Sequence, residues 1–145
     1  MVYISLGSNL GNRINNLRTA SNILIERYLH NSVFSIVIET EPILPKNSVP
    51  SWNKNFLNMI IAGDSKISPS ELIVALKSIE FKMGRSKTYK RWSPRIIDLD
   101  ILIWEGFEIK SPQLVIPHPE LTNRPFLHHL LALMGVKAWQ HNNNQ

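Results

Sequence analysis

Cysteine is absent from this 145-residue chain. Its absence excludes disulfide frameworks, Cys-ligated zinc sites and thiol catalysis. Long apolar runs are missing as well. The richest stretches, 33–38 and 96–104, carry polar breaks and fall far short of the ~20 residues that a membrane-spanning helix needs. The start, Met1-Val2-Tyr3-Ile4-Ser5-Leu6, reaches Gly7 without a basic segment, so no secretory signal is expected. Neither an internal repeat nor a dividing linker is visible. Gly7-Ser8-Asn9-Leu10-Gly11 lacks the Gly-Lys-Ser/Thr ending of a P-loop, and Rossmann spacing is absent too. A strand-to-helix turn capped by Asn9 or Asn12 is a sufficient reading of that segment. These absences leave one soluble, cytoplasmic domain over 1–139 and a disordered tail over 140–145 as the expectation.

What is present fits a globular fold. The hydrophobic fraction is 43%. A chain of this length buries roughly 68–70% of its unfolded surface and needs no staple. The net charge of +5 points to an anionic partner. Residues 82–95 hold six of the 16 Lys and Arg and no acid, leaving 10 basic against 11 acidic residues elsewhere. The charge is therefore one local basic loop.

Periodicity outlines the elements. Val2–Leu6 alternates as a strand, and apolar residues at helical spacing predict a helix over 13–30. Val33–Glu39 reads as a strand, followed by a Pro-rich loop from Pro42 to Asn55 and a strand over Phe56–Ala62. Ser68-Pro69-Ser70-Glu71 is a capping box that starts a helix ending at Gly84. Ile96–Trp104 reads as a strand, with Phe107–Ile109 as its hairpin partner. Leu114–Ile116 is a short strand, and Asn123–Met134 a last helix. The order βαββαβ predicts an α+β, ferredoxin-like fold, an antiparallel sheet with helices packed on one face and long substrate loops.

The sharpest chemical feature is Asp98-Leu99-Asp100 in an apolar strand. Period-two geometry puts both carboxylates on one face, with Ile97, Leu99 and Ile101 pointing into a core. Side by side, the two acids repel and resist desolvation, which a divalent cation relieves. Hard oxygen donors suit Mg2+, held by one or two carboxylates plus substrate phosphates. The other reading is a solvated face of an edge strand. Arg85, Lys87, Lys90, Arg91 and Arg95 run into the acid pair, as a Mg–polyphosphate site requires. A solvated basic loop is the alternative, although Trp92 and Pro94 argue for a shaped one. Pro117-His118-Pro119 presets a histidine that can donate to phosphate, with Arg124 six residues on, or that caps the last helix. Asn58 lies in an apolar strand and needs partners if buried. It can read the edge of a flat heterocycle stacked between Phe56 and Phe126, or serve the core.

Taken together, SLGSNLGNR, ETEP, FLNM, IEFKMGR, RWSPRIIDLDIL and IPHPELTNRPF, in that order over about residues 2–134, resemble the 6-hydroxymethyl-7,8-dihydropterin pyrophosphokinase family of folate biosynthesis. The resemblance implies transfer of pyrophosphate from ATP to the hydroxymethyl group of a reduced pterin, with release of AMP and two Mg2+ ions. It implies that Asp98 and Asp100 bind the metal and that Arg85 and Arg95 serve catalysis. Glu80, Lys87, Arg91, Trp92, Ile101, His118 and Arg124 correspond to positions around ATP. Thr40, Pro42, Ile43, Phe56, Asn58 and Phe126 correspond to the pterin pocket. The chain departs at Leu44, in its longer 45–55 loop, and at Lys77, Gln113, Val115 and Pro119. A monomer is expected, either a short form or a piece of a fused folate enzyme, with small-molecule substrates and neither nucleic acid nor membrane as partner. The alternative from the residues is a nucleic-acid-binding module, disfavoured because the acid pair repels a phosphate backbone and no stacking aromatic pattern marks the strands.

Overall fold

The computed structural model describes residues 1–84 and 90–136. The expectations for Arg85, Lys87 and the 140–145 tail lie outside the described residues.

The most completely buried strand lies inside the sheet. Strand β1 (Val2–Ser8) is buried at all but one position. It pairs antiparallel with β4 (Phe56–Ser65) on one side and β5 (Asp98–Trp104) on the other. Strands β2 (Leu29–Phe34) and β3 (Ile38–Thr40) both pair antiparallel with β4, giving the order β2-β4-β1-β5. With helices α1 (Arg13–Arg27) and α2 (Pro69–Lys82), β1 to β5 run βαβββαβ, the expected βαββαβ with its second strand split into β2 and β3. The last described elements are the small β6 (Ile109–Lys110) and β7 (Val115–Ile116) pair and helix α3 (Pro125–Leu133).

Alternation along β1 divides the core. Val2, Ile4 and Leu6 pack with Leu17, Ala20 and Leu24 of α1 and Leu72, Leu76 and Ile79 of α2. Tyr3 packs with Ile60, Ala62, Leu102 and Ile103 and with Leu127, Leu130 and Leu131 of α3. The third helix thus covers the opposite face, a departure from helices on one face only. A register shift in the β1–β5 pairing adds to the contact, since Tyr3 opposes Ile103 while Ile4 opposes Ile101. Such a bulge turns the consecutive Leu102 and Ile103 to the α3 side.

Other boundaries moved for identifiable reasons. The first helix ends at Arg27 and not at residue 30, because Leu29 opposes Ser65 and is buried in the core. The expected Val33–Glu39 strand is broken between β2 and β3. Ser35 bridges the break: its N–H donates to Ile60 O (2.9 Å) and its Oγ accepts from Ile60 N–H (2.7 Å). Phe107–Ile109 does not pair with β5. Phe107 N–H closes a turn on Trp104 O (3.0 Å), and β6 pairs with β7 instead.

The capping box formed as read. Ser68 Oγ accepts from Glu71 N–H (3.3 Å), and Glu71 Oε1 accepts from Ser68 N–H (3.3 Å). Ser68→Ala is expected to lose about 1 kcal/mol of stability. A fall in the thermal midpoint of a few degrees checks this, and an unchanged midpoint counts against the cap.

Candidate active site

The site lies on the α3 face of the sheet, beyond the start of that helix. Register rows run across three strands there. Asn58 opposes Gly7, which opposes Asp98; Ile60 opposes Ser5, which opposes Asp100. Thr40 opposes Phe56 at the edge. Gly7 keeps the middle of the first row low. A Cβ there would lie 3.3 Å from Asn58 Oδ1 and 3.4 Å from the Phe56 ring. An isolated glycine in a strand marks such a close approach.

A cavity opens above these rows. Its lining includes Thr40, Pro42, Ile43, Phe56, Asn58, Trp92, Arg95, Asp98, Asp100, Arg124 and Phe126. All were singled out in the sequence, on four separate segments. Ser5, Leu6, Gly7, Glu41 and Leu127 line it too and were missed. The isolated Gly7 in an alternating strand was the available signal, since it also places Ser5 on its face.

One end of the cavity suits a flat polar ring. Asn58 is 8% exposed, and its Nδ2 donates to Thr40 Oγ1 (2.7 Å). That bond orients the amide and leaves its oxygen on the Gly7 side. Phe56, two residues before Asn58 on β4, and Phe126 both line the cavity.

The other end carries the charges. Arg95 Nη1 lies 3.0 Å from Asp98 Oδ2. His118 Nε2 faces Asp100 Oδ1 at 3.6 Å, while its Nδ1 accepts from Glu120 N–H (3.1 Å). With Nδ1 an acceptor, the proton of the neutral ring sits on Nε2 toward the carboxylate. The His118 loop is docked on the outer edge of β5 by His118 N–H donating to Leu102 O (2.8 Å). Burial pushes the Asp100 carboxyl up, but His118, Arg124 and Arg95 together hold it below its ordinary value. Asp100 is therefore ionised. Arg124 Nε is buried and finds no hydrogen-bond partner among the described residues. An orphaned guanidinium donor suits an anionic ligand.

The acid pair also fits a cation. Among the described residues, no group of three or more His, Asp and Glu gathers to hold a metal. Two hard carboxylates suffice for Mg2+, which draws its other ligands from water and substrate phosphates.

Some predicted residues stand apart from the cavity. Ile101 is 2% exposed and packs in the core on the α1–α2 side of β5. Glu80 is buried on that side as well, and its Oε2 accepts from Leu99 N–H (2.9 Å). Neither side chain reaches the lining: before the bulge, Leu99 and Ile101 face away from Asp98 and Asp100, and Glu80 sits on α2, which packs against that opposite face. Arg91 is exposed and stacks on Trp92, with its guanidinium carbon 4.6 Å from the ring centre. Trp92 itself has φ +75°, a left-handed conformation that L residues adopt at a cost.

The family model for 7,8-dihydro-6-hydroxymethylpterin-pyrophosphokinase matches residues 3–135. The chain belongs to this pyrophosphokinase family. It is 36% identical over 125 residues to the 2-amino-4-hydroxy-6-hydroxymethyldihydropteridine pyrophosphokinase of Aquifex aeolicus, covering 86% of this chain and 74% of that protein. The protein of the same name from Bacillus subtilis is 35% identical over 131 residues, covering 88% of this chain and 73% of that one. The folate synthesis bifunctional protein of Chlamydia caviae is 37% identical over 131 residues, covering 90% of this chain. The chain spans only 29% of the length of that bifunctional relative. Membership in the pyrophosphokinase family leaves the nucleic-acid-binding alternative without support. No helix among the described residues is long and apolar enough to cross a membrane.

Proposed function

We propose that this chain transfers pyrophosphate from ATP to the hydroxymethyl group of 6-hydroxymethyl-7,8-dihydropterin and releases AMP. The observation that carries this reading is one cavity with an aromatic–amide end and an acid–guanidinium end. The first end binds the pterin. Phe56 and Phe126 enclose the ring, and Asn58, oriented by Thr40, pairs with its polar edge. Pro42 and Ile43 close that end.

The second end receives the triphosphate. Two Mg2+ ions held by Asp98 and Asp100 supply charge neutralisation of the phosphate oxygens when bound. Arg124 Nε donates to a phosphate oxygen, and His118 Nε2 does the same when it turns from Asp100. Arg95 leaves Asp98 and stabilises the charge that develops on the transferred group. Arg85, Lys87, Arg91 and Trp92 are assigned to the nucleotide side on the same reading. Glu80 and Ile101 act there by holding β5, not by side-chain contact. The pterin hydroxyl oxygen attacks the β-phosphorus, the bond from that phosphorus to the α-bridging oxygen breaks, and AMP leaves with that oxygen. Asp98 shares a register row with Asn58, so it is the carboxylate nearer the pterin and accepts the hydroxyl proton. The reaction is placed in the cytoplasm, with a monomer as the working unit. The bifunctional name of the Chlamydia relative supports a place beside another folate-synthesis enzyme.

The test is incubation with ATP, Mg2+ and the hydroxymethyl-dihydropterin. AMP is the expected nucleotide product. Release of ADP, or no nucleotide turnover by folded protein, overturns the reading.

A further inference from the structure

Nothing in the proposed reaction uses the turn after β1. Its Asn9 is 3% exposed and makes three hydrogen bonds to two distant segments. Asn9 N–H donates to Arg95 O (3.1 Å), and Asn9 Oδ1 accepts from Arg95 N–H (2.8 Å). Asn9 Nδ2 donates to Lys54 O (3.1 Å). Both side-chain partners are backbone groups of fixed role, so the amide has one orientation only. The helix cap is a different residue: Asn12 Oδ1 accepts from Asn15 N–H (3.0 Å).

We propose that Asn9 is a positioning residue that sets the nucleotide end and the pterin end of the cavity in register. This proposal rests on the pyrophosphokinase reading. Arg95 leads directly into β5 and the acid pair. Lys54 closes the 42–55 loop and leads into Phe56 and Asn58. One buried amide thus ties the chain entering each half of the site to the end of the central strand. Arg13 makes a second tie to the same loop end, donating to Asn55 O (3.0 Å) and Glu39 Oε2 (2.7 Å). That bond is exposed and does not reach Arg95, so it cannot replace Asn9 in joining the two halves. In-line transfer between two bound substrates depends on such alignment, since a displacement of about 1 Å can cost on the order of 100-fold in rate.

The two side-chain bonds can be separated. Asn9→Asp keeps an oxygen toward Arg95 N–H but sets a carboxylate oxygen against Lys54 O. Asn9→Ala removes both bonds. Asn12→Ala weakens α1 in the same turn without touching either segment. In the full chain, Asn9→Ala is expected to speed hydrogen exchange at the Arg95 amide and to lower kcat, each by about 10-fold. Asn9→Asp is expected to keep Arg95 protection and to raise the pterin KM by about 10-fold, with kcat and the ATP KM changed by less than about three-fold. Asn12→Ala is expected to lower the thermal midpoint while leaving Arg95 exchange and the kinetic constants as in the wild type. Unchanged Arg95 exchange in Asn9→Ala overturns the proposal. So do kinetic constants of Asn9→Ala that match those of Asn12→Ala at an equal thermal midpoint. Wild-type protein that releases no AMP defeats the reading of the reaction, whereas the exchange rates still decide whether Asn9 holds the two segments.

Discussion

Asp98→Ala and Asp100→Ala are each expected to abolish AMP release while leaving the fold intact. The loss should be on the order of 1,000-fold or more, because on the proposed reading each variant removes a carboxylate that holds the metal and unbalances the neighbouring cations. Asp98 is paired with Arg95 at 3.0 Å and Asp100 faces His118 at 3.6 Å. Neither acid belongs to the apolar clusters, which use Leu99, Ile101 and Leu102 of the same strand. Thermal midpoints should therefore stay within a few degrees of the wild type. Steady-state assays at saturating ATP and Mg2+ check the activity, and circular dichroism checks the fold. Normal turnover in either variant removes the metal assignment. The two acids also predict an acid limit. Asp100 is held below its ordinary pKa in the folded chain, so it stabilises the fold above the unfolded carboxyl pKa. That contribution fades as the pH falls through the folded value, and Asp100→Asn should flatten this part of the acid denaturation curve.

Glu80→Leu is expected to be the most destabilising single change in the support of the site. Glu80 is 3% exposed, and its carboxylate accepts from the backbone N–H of Leu99 (2.9 Å), between the two acids. Leucine restores volume but leaves that N–H buried and unpaired, which costs about 2 kcal/mol and lowers the thermal midpoint by roughly 5–10 °C. Glu80→Gln retains a carbonyl acceptor and is expected to lose much less. Activity should fall in parallel in Glu80→Leu, because β5 is then held less firmly under Asp98 and Asp100. Equal midpoints for the two variants would show that the Leu99 bond contributes nothing.

How much of this was legible beforehand depends on whether the signal was local. The capping box at Ser68, the helix end at Gly84 and the alternation that puts Asp98 and Asp100 together are short-range features, and each appears where the sequence placed it. The residues of both cavity ends were also legible, since Asn58 and the acid pair interrupt apolar strands. Long-range pairing was not. Nothing near Leu29 says that it will oppose Ser65, and so the first helix was drawn too long. The bulge at Leu102–Ile103, which gives α3 two consecutive β5 residues to pack on, likewise exists only once β5 lies against β1.

The sequence by itself determined the βαββαβ order, the acid pair, the basic loop and the family to which they belong. Those are patterns of spacing and residue type, and a single chain carries them whole. Only the tertiary structure decided that Glu80 and Ile101 turn away from the cavity, that Asn58 leans on Thr40, and that Asn9 ties Arg95 to Lys54. Each of those facts is a meeting of segments far apart in the chain. Such meetings are set by strand register and by the need of buried polar groups for partners, which one-dimensional spacing does not contain.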